Sequence, residues 1–300
     1  MNKPLGGVLG PLVTTFYRQT GELDVASFAA NVRAHLAAGL HGVVVTGSTG
    51  EAALLDTDER ASLVDAAREM VPRDKWLLVG TGAESTRTCL QLTRDAAKRG
   101  ADAVLVVAPH YYGSAMTADA LMQHYWRIAE ESPVPVVLYN IPKYMHYALA
   151  PQLVAELATH PNVIGMKDSS GNRELFASYM NIQSDTFAVL DGNAQLFQAA
   201  LAMGARGGIL AAGLFAPRLT LDVYQAMCGG DSAAADAGQA RLTPLGARIV
   251  GEFGVAGVKA AMDRVGLAGG PVRSPLVPLS AEQSLAVDEL LRGAELATAA

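Results

Sequence analysis

The residue best placed for chemistry in this chain is a lysine. Lys167 follows the apolar run Val163-Ile164-Gly165-Met166 and opens a small polar loop, Asp168-Ser169-Ser170-Gly171-Asn172. The run reads as a short buried strand, and the loop reads as a turn into the next helix. An amine held half out of water favours its neutral form, and a neutral amine can add to a ketone to give a Schiff base. A strand-end lysine can equally pair with a neighbour such as Asp168, or carry its charge out to solvent. What else is gathered around it decides between these.

Other reactive residue types also follow apolar runs. In Thr46-Gly47-Ser48-Thr49-Gly50-Glu51, Gly47 and Gly50 free the backbone to present N–H groups, which suit a carboxylate or phosphate. Ser48 and Thr49 add hydroxyls. No lysine follows in the manner of a Walker A loop, and an ordinary turn is the alternative. Glu51 can serve as a general base or steady the start of the following helix. Tyr139, in Tyr139-Asn140-Ile141-Pro142, can relay a proton or line an apolar interior. Tyr111 and Tyr112 can do the same or simply pack. Asp191, in Asp191-Gly192-Asn193, reads as a turn former, and Ile209 lies near the end of the last apolar run. Together these supply an amine nucleophile, a phenol, hydroxyls and backbone donors for a carboxylate. That inventory suits imine chemistry on a 2-oxo acid. The protonated imine is an electron sink that permits a carbanion or enamine at C3, and a carbon–carbon bond is then made or broken.

The elements that position these residues follow a repeating pattern. Short β-branched apolar runs alternate with helical stretches carrying apolar residues at i, i+3, i+4 and i+7. Strands are expected at Leu9–Phe16, Gly42–Thr46, Trp76–Gly80, Ala103–Ala108, Val134–Tyr139, Val163–Lys167, Phe187–Leu190 and Gly207–Ala211. Asp24, Thr57, Ser85 or Thr86, and Thr117 are expected to open helices, and Gly39 and Gly100 to close them. The strands are nearly all apolar, as strands buried on both faces must be. Eight alternations before about residue 215 predict an α/β fold, a (β/α)8 TIM barrel. A doubly wound open sheet is the alternative, but no GxGxxG follows the first strand. Residues 1–215 are expected to form the catalytic barrel. Residues 216–300 are expected to be a helical extension packed on it, with helices at Pro217–Cys228, Ser232–Gly251, Val255–Val265 and Ala281–Leu296 and a fraying Ala-rich tail after Leu291. A barrel of this kind carries its active site at the C-terminal ends of its strands, where Lys167, Ser48, Thr49, Tyr111, Tyr112, Tyr139, Asp191 and Ile209 fall.

Composition narrows the function. The 300 residues carry a net charge of −6 with no basic block, which argues against nucleic-acid binding. The stretch Met1–Phe16 lacks the apolar core of a signal peptide, and no apolar run approaches the roughly 18 residues of a membrane helix. Cys89 and Cys228 stand far apart in no CxxC pattern, which points to a reducing cytoplasm without a structural disulfide or zinc. The six histidines show no metal-ligand spacing. His110, His124 and His146 read as surface or packing residues. No metal and no cofactor is expected.

In order and spacing, Gly47-Ser48-Thr49-Gly50-Glu51, Tyr111-Tyr112, Tyr139-Asn140-Ile141-Pro142 and Gly165-Met166-Lys167-Asp168 span nearly the whole barrel. With Phe253 to Lys259 and Gly269 to Leu276, they make the chain resemble the dihydrodipicolinate synthase / N-acetylneuraminate lyase superfamily of class I, pyruvate-dependent aldolases. The resemblance implies that Lys167 forms an imine with pyruvate and that Tyr139 shuttles protons. It implies that Ser48, Thr49 and the amides of the Gly47–Gly50 loop hold the pyruvyl carboxylate. A tyrosine of the pair, Tyr112 or Tyr111, would complete the relay, in many members from a neighbouring subunit. A homotetramer built as a dimer of dimers is implied, with a 2-oxo acid as the small-molecule partner.

One position departs from the pattern. Dihydrodipicolinate synthases typically carry an arginine two residues after the proline of the Tyr139 motif, and here Tyr144 stands there. A tyrosine supplies no bidentate guanidinium. Lys143 beside it offers a point charge instead, from a neighbouring position that points elsewhere. Gly82-Ala83-Glu84-Ser85-Thr86, the segment His160 to Ser169, and Phe253-Gly254 are similar to 4-hydroxy-2-oxoglutarate aldolases and 2-keto-3-deoxy sugar-acid lyases. That likeness makes Ser169 substrate-facing, and Lys143, Tyr144 and Asn193 are expected to help set the aldehyde partner. A 2-keto-3-deoxy acid dehydratase, a dihydrodipicolinate synthase, and a catalytically silent binding protein on the same barrel stay open as alternatives.

Overall fold

A computed structural model of the chain describes residues 3–296. Eight strands close into an all-parallel barrel in chain order: β1 (Gly7–Pro11), β2 (Gly42–Val45), β3 (Trp76–Gly80), β4 (Ala103–Val107), β5 (Val136–Asn140), β6 (Val163–Asp168), β7 (Ala188–Asp191) and β8 (Gly207–Ile209), with β8 pairing back to β1. The helices that separate the strands are α1 (Val25–Ala37), α2 (Thr57–Met70), α3 (Thr86–Lys98), α4 (Ala118–Glu131), α5 (Pro142–Met145), α6 (Pro151–Leu157), α7 (Arg173–Met180) and α8 (Phe197–Ala202). After β8 come α9 (Pro217–Gly229), α10 (Ser232–Pro244), α11 (Gly254–Arg264) and α12 (Ala281–Gly293). The fold is a (β/α)8 TIM barrel with C-terminal helices. Residues 297–300 of the Ala-rich tail lie outside the described residues.

The strands are buried along almost their whole length because the barrel interior covers one face and the helices cover the other. Polar caps start the helices where the chain turns outward. Asp24, Ser85, Thr117, Asn172, Asp231 and Ser280 each accept an N–H three residues on. Each such cap contributes about 1 kcal/mol. The α2 cap is Asp56, not Thr57, because its carboxylate accepts the Glu59 N–H while Glu59 reaches back in a capping box.

Several boundaries differ from the sequence reading. β1 ends at Pro11, and residues 12–16 leave the sheet so that Phe16 bridges Leu23. The expected continuous helix Ser232–Gly251 is two pieces, α10 and a π-helical segment Leu245–Glu252. Pro244 lies at the junction, where its missing N–H interrupts the regular ladder. The short helix α5 was not expected from the sequence. It is a single turn begun by Pro142 and ended by His146, whose φ is 63°.

The β5–β6 pairing carries the decisive irregularity. Val136 stands opposite Val163 but Val137 stands opposite Gly165, so Ile164 is passed over and the register shifts by one residue. A one-residue shift exchanges the two faces of a strand. Beyond the shift, Tyr139 pairs with Lys167 and Asn140 with Asp168.

Candidate active site

The register places Tyr139 and Lys167 side by side on the inner face at the C-terminal end of the barrel. Lys167 is 5% exposed, and its Nζ lies 3.2 Å from the Tyr139 hydroxyl and 4.3 Å from that ring's centre. No carboxylate oxygen among the described residues is within 4.0 Å of Nζ, so the expected alternative pairing with Asp168 is not made.

Asp168 faces the other way. Its Oδ1 accepts the Asn140 amide at 2.7 Å and the Ser170 N–H at 3.1 Å, and its Oδ2 accepts the Ser170 hydroxyl at 2.7 Å. Asn140 in turn accepts the Leu149 N–H at 3.0 Å. The outer row thus clamps β5 to β6 behind the inner pair. Burial pushes the Asp168 carboxyl above its usual range, against the lowering effect of the Ser170 and Asn140 bonds. Asp191, the register partner of Asp168, is 2% exposed and is held well above the usual carboxylate range by burial. Its Oδ1 accepts the Asn193 N–H at 3.0 Å, the turn contact expected of it, while Oδ2 has no hydrogen-bond partner.

Lys167 opens onto a cavity of about 250 Å³. Ser48, Thr49, Tyr139, Tyr144, Lys167, Ser169, Asn193 and Ile209 all line it. Gly47, Gly50, Tyr111 and Tyr112 do not. Gly47 and Gly50 shape the loop from behind. A Cβ on Gly50 would lie 2.9 Å from the Leu12 carbonyl, so only glycine permits that approach. Tyr111 and Tyr112 are 78% and 68% exposed and pack edge to face on the loop after β4. Glu84 pins that loop by accepting the His110 and Tyr111 N–H groups at 3.0 and 2.9 Å.

The serine–threonine loop is bracketed by strain. Thr46 and Glu51 have φ of 53° and 56°. A left-handed backbone costs a non-glycine residue about 1–3 kcal/mol and persists only where its surroundings impose it. The Thr46 hydroxyl holds the Gly80 carbonyl at 2.9 Å. Glu51 is buried, neither a base in the cavity nor a cap of the helix start. Its side chain pairs with Lys259 and accepts the Arg273 N–H at 2.7 Å.

Three lining features were missed or only half read from the sequence. Gly192 is one: a Cβ there would come within 2.0 Å of the Ser169 hydroxyl and 2.7 Å of the Lys167 Cε. Its only sequence signal was a glycine between two polar residues at a strand end. The second is Lys143, expected to point elsewhere. It lines the cavity and donates to the Gly251 carbonyl at 2.7 Å. The third is the far wall, where Gly246, Val250 and Gly251 of the π-helical segment meet Val255 and Val258 of α11. No local motif announced that wall. Tyr144 also lines the cavity, with its phenol pushed up by burial, so it is a neutral donor at ordinary pH.

The arrangement holds a buried amine against a phenol, in a cavity lined by hydroxyls and by an apolar stretch of glycines and valines. It can add an amine to a carbonyl and move protons between neighbouring groups. Among the described residues no helix is long and apolar enough to cross a membrane.

Known proteins resemble this chain in sequence and in fold. A model of the dihydrodipicolinate synthetase family matches residues 4–294. The 4-hydroxy-tetrahydrodipicolinate synthase of Methanoculleus marisnigri is 35% identical over 272 residues, covering 90% of this chain and 92% of that one. The crystal structure of dihydrodipicolinate synthase from Aquifex aeolicus superposes with a TM-score of 0.92 at 27% identity, over 99% of this chain and 100% of that one. YagE, a prophage protein of the dihydrodipicolinic acid synthase family from E. coli K12 solved in complex with pyruvate, gives a TM-score of 0.91 at 29% identity, over 97% and 99%. By this match across nearly its full length, the chain belongs to the dihydrodipicolinate synthetase family, and it is a lyase of the class I, Schiff-base aldolase kind.

Proposed function

We propose that the enzyme cleaves a 4-hydroxy-2-oxo acid into pyruvate and an aldehyde, or joins them, through an imine on Lys167. The observation that carries this reading is the unpaired, buried Lys167 Nζ, 3.2 Å from the Tyr139 hydroxyl and open to the cavity. The amine adds to the C2 ketone and water leaves. In cleavage, the C4 hydroxyl gives up its proton to the relay of Tyr139, Ser48 and Thr49, with Tyr112 or Tyr111 of a neighbouring protomer completing it. The C3–C4 bond breaks, its electron pair moves into the protonated imine to give an enamine, and the aldehyde departs. Protonation at C3 and hydrolysis release pyruvate. The hydroxyls and amides of the loop Gly47–Gly50 hold the pyruvyl carboxylate. The pyruvate held by YagE in its crystals supports this choice of 2-oxo acid.

The aldehyde half lies toward Lys143, Tyr144, Ser169 and Asn193. A phenol and a serine hydroxyl there favour a hydroxylated or singly charged aldehyde over one gripped by guanidinium. The best assignment is a 4-hydroxy-2-oxoglutarate or 2-keto-3-deoxy sugar-acid aldolase. The curated relatives carry the name 4-hydroxy-tetrahydrodipicolinate synthase, and that observation favours a second reading, condensation of pyruvate with a semialdehyde. The exposed Tyr111 and Tyr112 support self-association, here as a homotetramer, with the enzyme working in the cytoplasm.

Borohydride reduction with pyruvate, then peptide mass mapping, tests the mechanism. A pyruvyl adduct on Lys167 is expected, and no adduct, or one on another lysine, overturns it. Pyruvate release from a panel of 4-hydroxy-2-oxo acids tests the substrate. Condensation with a semialdehyde alone would favour the synthase.

A further inference from the structure

The Glu51–Lys259 pair is the most enclosed ionic contact among the described residues, with side chains 0% and 1% exposed. Glu51 ends the loop that carries Ser48 and Thr49, and Lys259 lies 208 positions later on α11. Lys259 also donates to the Pro271 carbonyl at 2.6 Å and sits 4.6 Å above the Phe16 ring. The other oxygen of Glu51 accepts the Arg273 N–H. The Arg273 side chain grips both oxygens of Glu59 at 2.6 Å, donates to the Leu54 carbonyl at 3.0 Å, and lies 4.2 Å from the same Phe16 ring. The segment after α11 is pressed so close that a Cβ on Gly269 would meet the Lys259 carbonyl at 1.9 Å.

We propose that Lys259 is a positioning residue for the loop Gly47–Glu51, acting through its buried pair with Glu51. The loop is held at three points. Thr14 donates to the Gly50 carbonyl at 2.6 Å, Thr46 holds its start, and Glu51 holds its end in a left-handed conformation. The first two anchors belong to the barrel. The third comes from the C-terminal helices. A carboxylate with no exposure cannot keep its charge without a partner, so loss of Lys259 would leave Glu51 to neutralise or turn outward. Its strained backbone would then relax, carrying Thr49 and Ser48 with it. Val255 and Val258, on the same helix as Lys259, line the cavity. One helix therefore lines the cavity and anchors the end of the carboxylate-holding loop. The C-terminal helices complete the site as well as covering the barrel.

This inference rests on the reading that Ser48 and Thr49 hold the pyruvyl carboxylate, and its test keeps the two apart. Glu51→Gln keeps shape but removes the charge. The pyruvate concentration for half-maximal borohydride trapping should rise about fivefold, the worth of about one hydrogen bond. The maximal trapped fraction should stay near wild type. Amide exchange at residues 47–51 should quicken without substrate present. The double variant Glu51→Leu/Lys259→Met removes both charges and should recover stability, yet keep the raised half-saturation. A purely stabilising pair predicts instead that affinity recovers along with stability. If wild type traps pyruvate on Lys167 while Glu51→Gln leaves half-saturation and exchange unchanged, the positioning role is overturned and the imine mechanism stands. If wild type traps no pyruvate, the mechanism falls, and faster exchange in Glu51→Gln still decides for the pair as the loop's anchor.

Discussion

Lys167 and Lys259 are both buried, and each lies over an aromatic ring, at 4.3 Å and 4.6 Å. Their ammonium groups nevertheless meet different chemistry. Lys259 also borders a cavity, but its ammonium is taken up by a carboxylate and a carbonyl. Burial pushes the Lys259 amine below its usual range, and the Glu51 charge opposes that push. Lys167 finds a phenol and an open cavity. Burial alone therefore does not make a lysine reactive. On the proposed imine mechanism the partner decides, because a carboxylate holds the cation in place whereas a phenol beside a cavity leaves room for a carbonyl.

Removing each lysine should separate the two roles. Lys167→Ala should abolish turnover, a loss of about a thousandfold or more, with a fold unchanged by circular dichroism. Residual pyruvate trapping on Lys259 would break the comparison outright. Lys259→Met should cost about 3–5 kcal/mol in denaturant unfolding, because it leaves Glu51 buried and unpaired. The folded fraction should still form an adduct on Lys167. A loss of less than about 1 kcal/mol would mean that water already reaches the pair.

Smaller effects sharpen the contrast. Tyr139→Phe should leave imine formation intact and lower turnover by about a hundredfold, measured by trapping beside steady-state rates. Equal losses in both would show that the phenol acts before the imine forms. His124 shows what burial does to a base that has no acidic partner within hydrogen-bond reach. It is 6% exposed, its Nδ1 meets the Thr86 hydroxyl at 2.8 Å, and burial pushes it down to about 4. The folded state keeps the ring neutral to about pH 4, while the unfolded chain protonates it near 6.5. Below 6.5 the unfolded state binds more protons, so stability falls as pH falls towards 4. From pH 7 to 5 the loss should be about 2 kcal/mol, and His124→Leu should flatten that part of the thermal-midpoint profile. An unchanged slope would show that the ring is hydrated after all.

The barrel was legible in the sequence because its signals are local. Apolar runs with both faces buried, amphipathic helices of period 3.6, and side-chain caps at Asp24, Ser85 and Thr117 each follow from a short stretch of chain. Lys167, Tyr139, Ser48 and Thr49 were legible as strand-end residues for the same reason, since a parallel barrel collects those ends at one face. The cap at Asp56 was missed by one residue, because Asp56 and Thr57 can both accept an N–H and only geometry chooses.

Other features needed the folded chain. The one-residue shift at Ile164 puts Lys167, and not Met166, opposite Tyr139, and no local pattern reports it. Gly192 is required only because Lys167 and Ser169 crowd it in space. Tyr111 and Tyr112 look like site residues in sequence but are exposed in the single chain, outside the cavity lining. Above all, the residue types Glu51 and Lys259 say nothing of each other across more than two hundred positions. Sequence sets the period and the polarity of each segment. Which charges lose water, and which of them find a partner when they do, is decided by packing between distant segments.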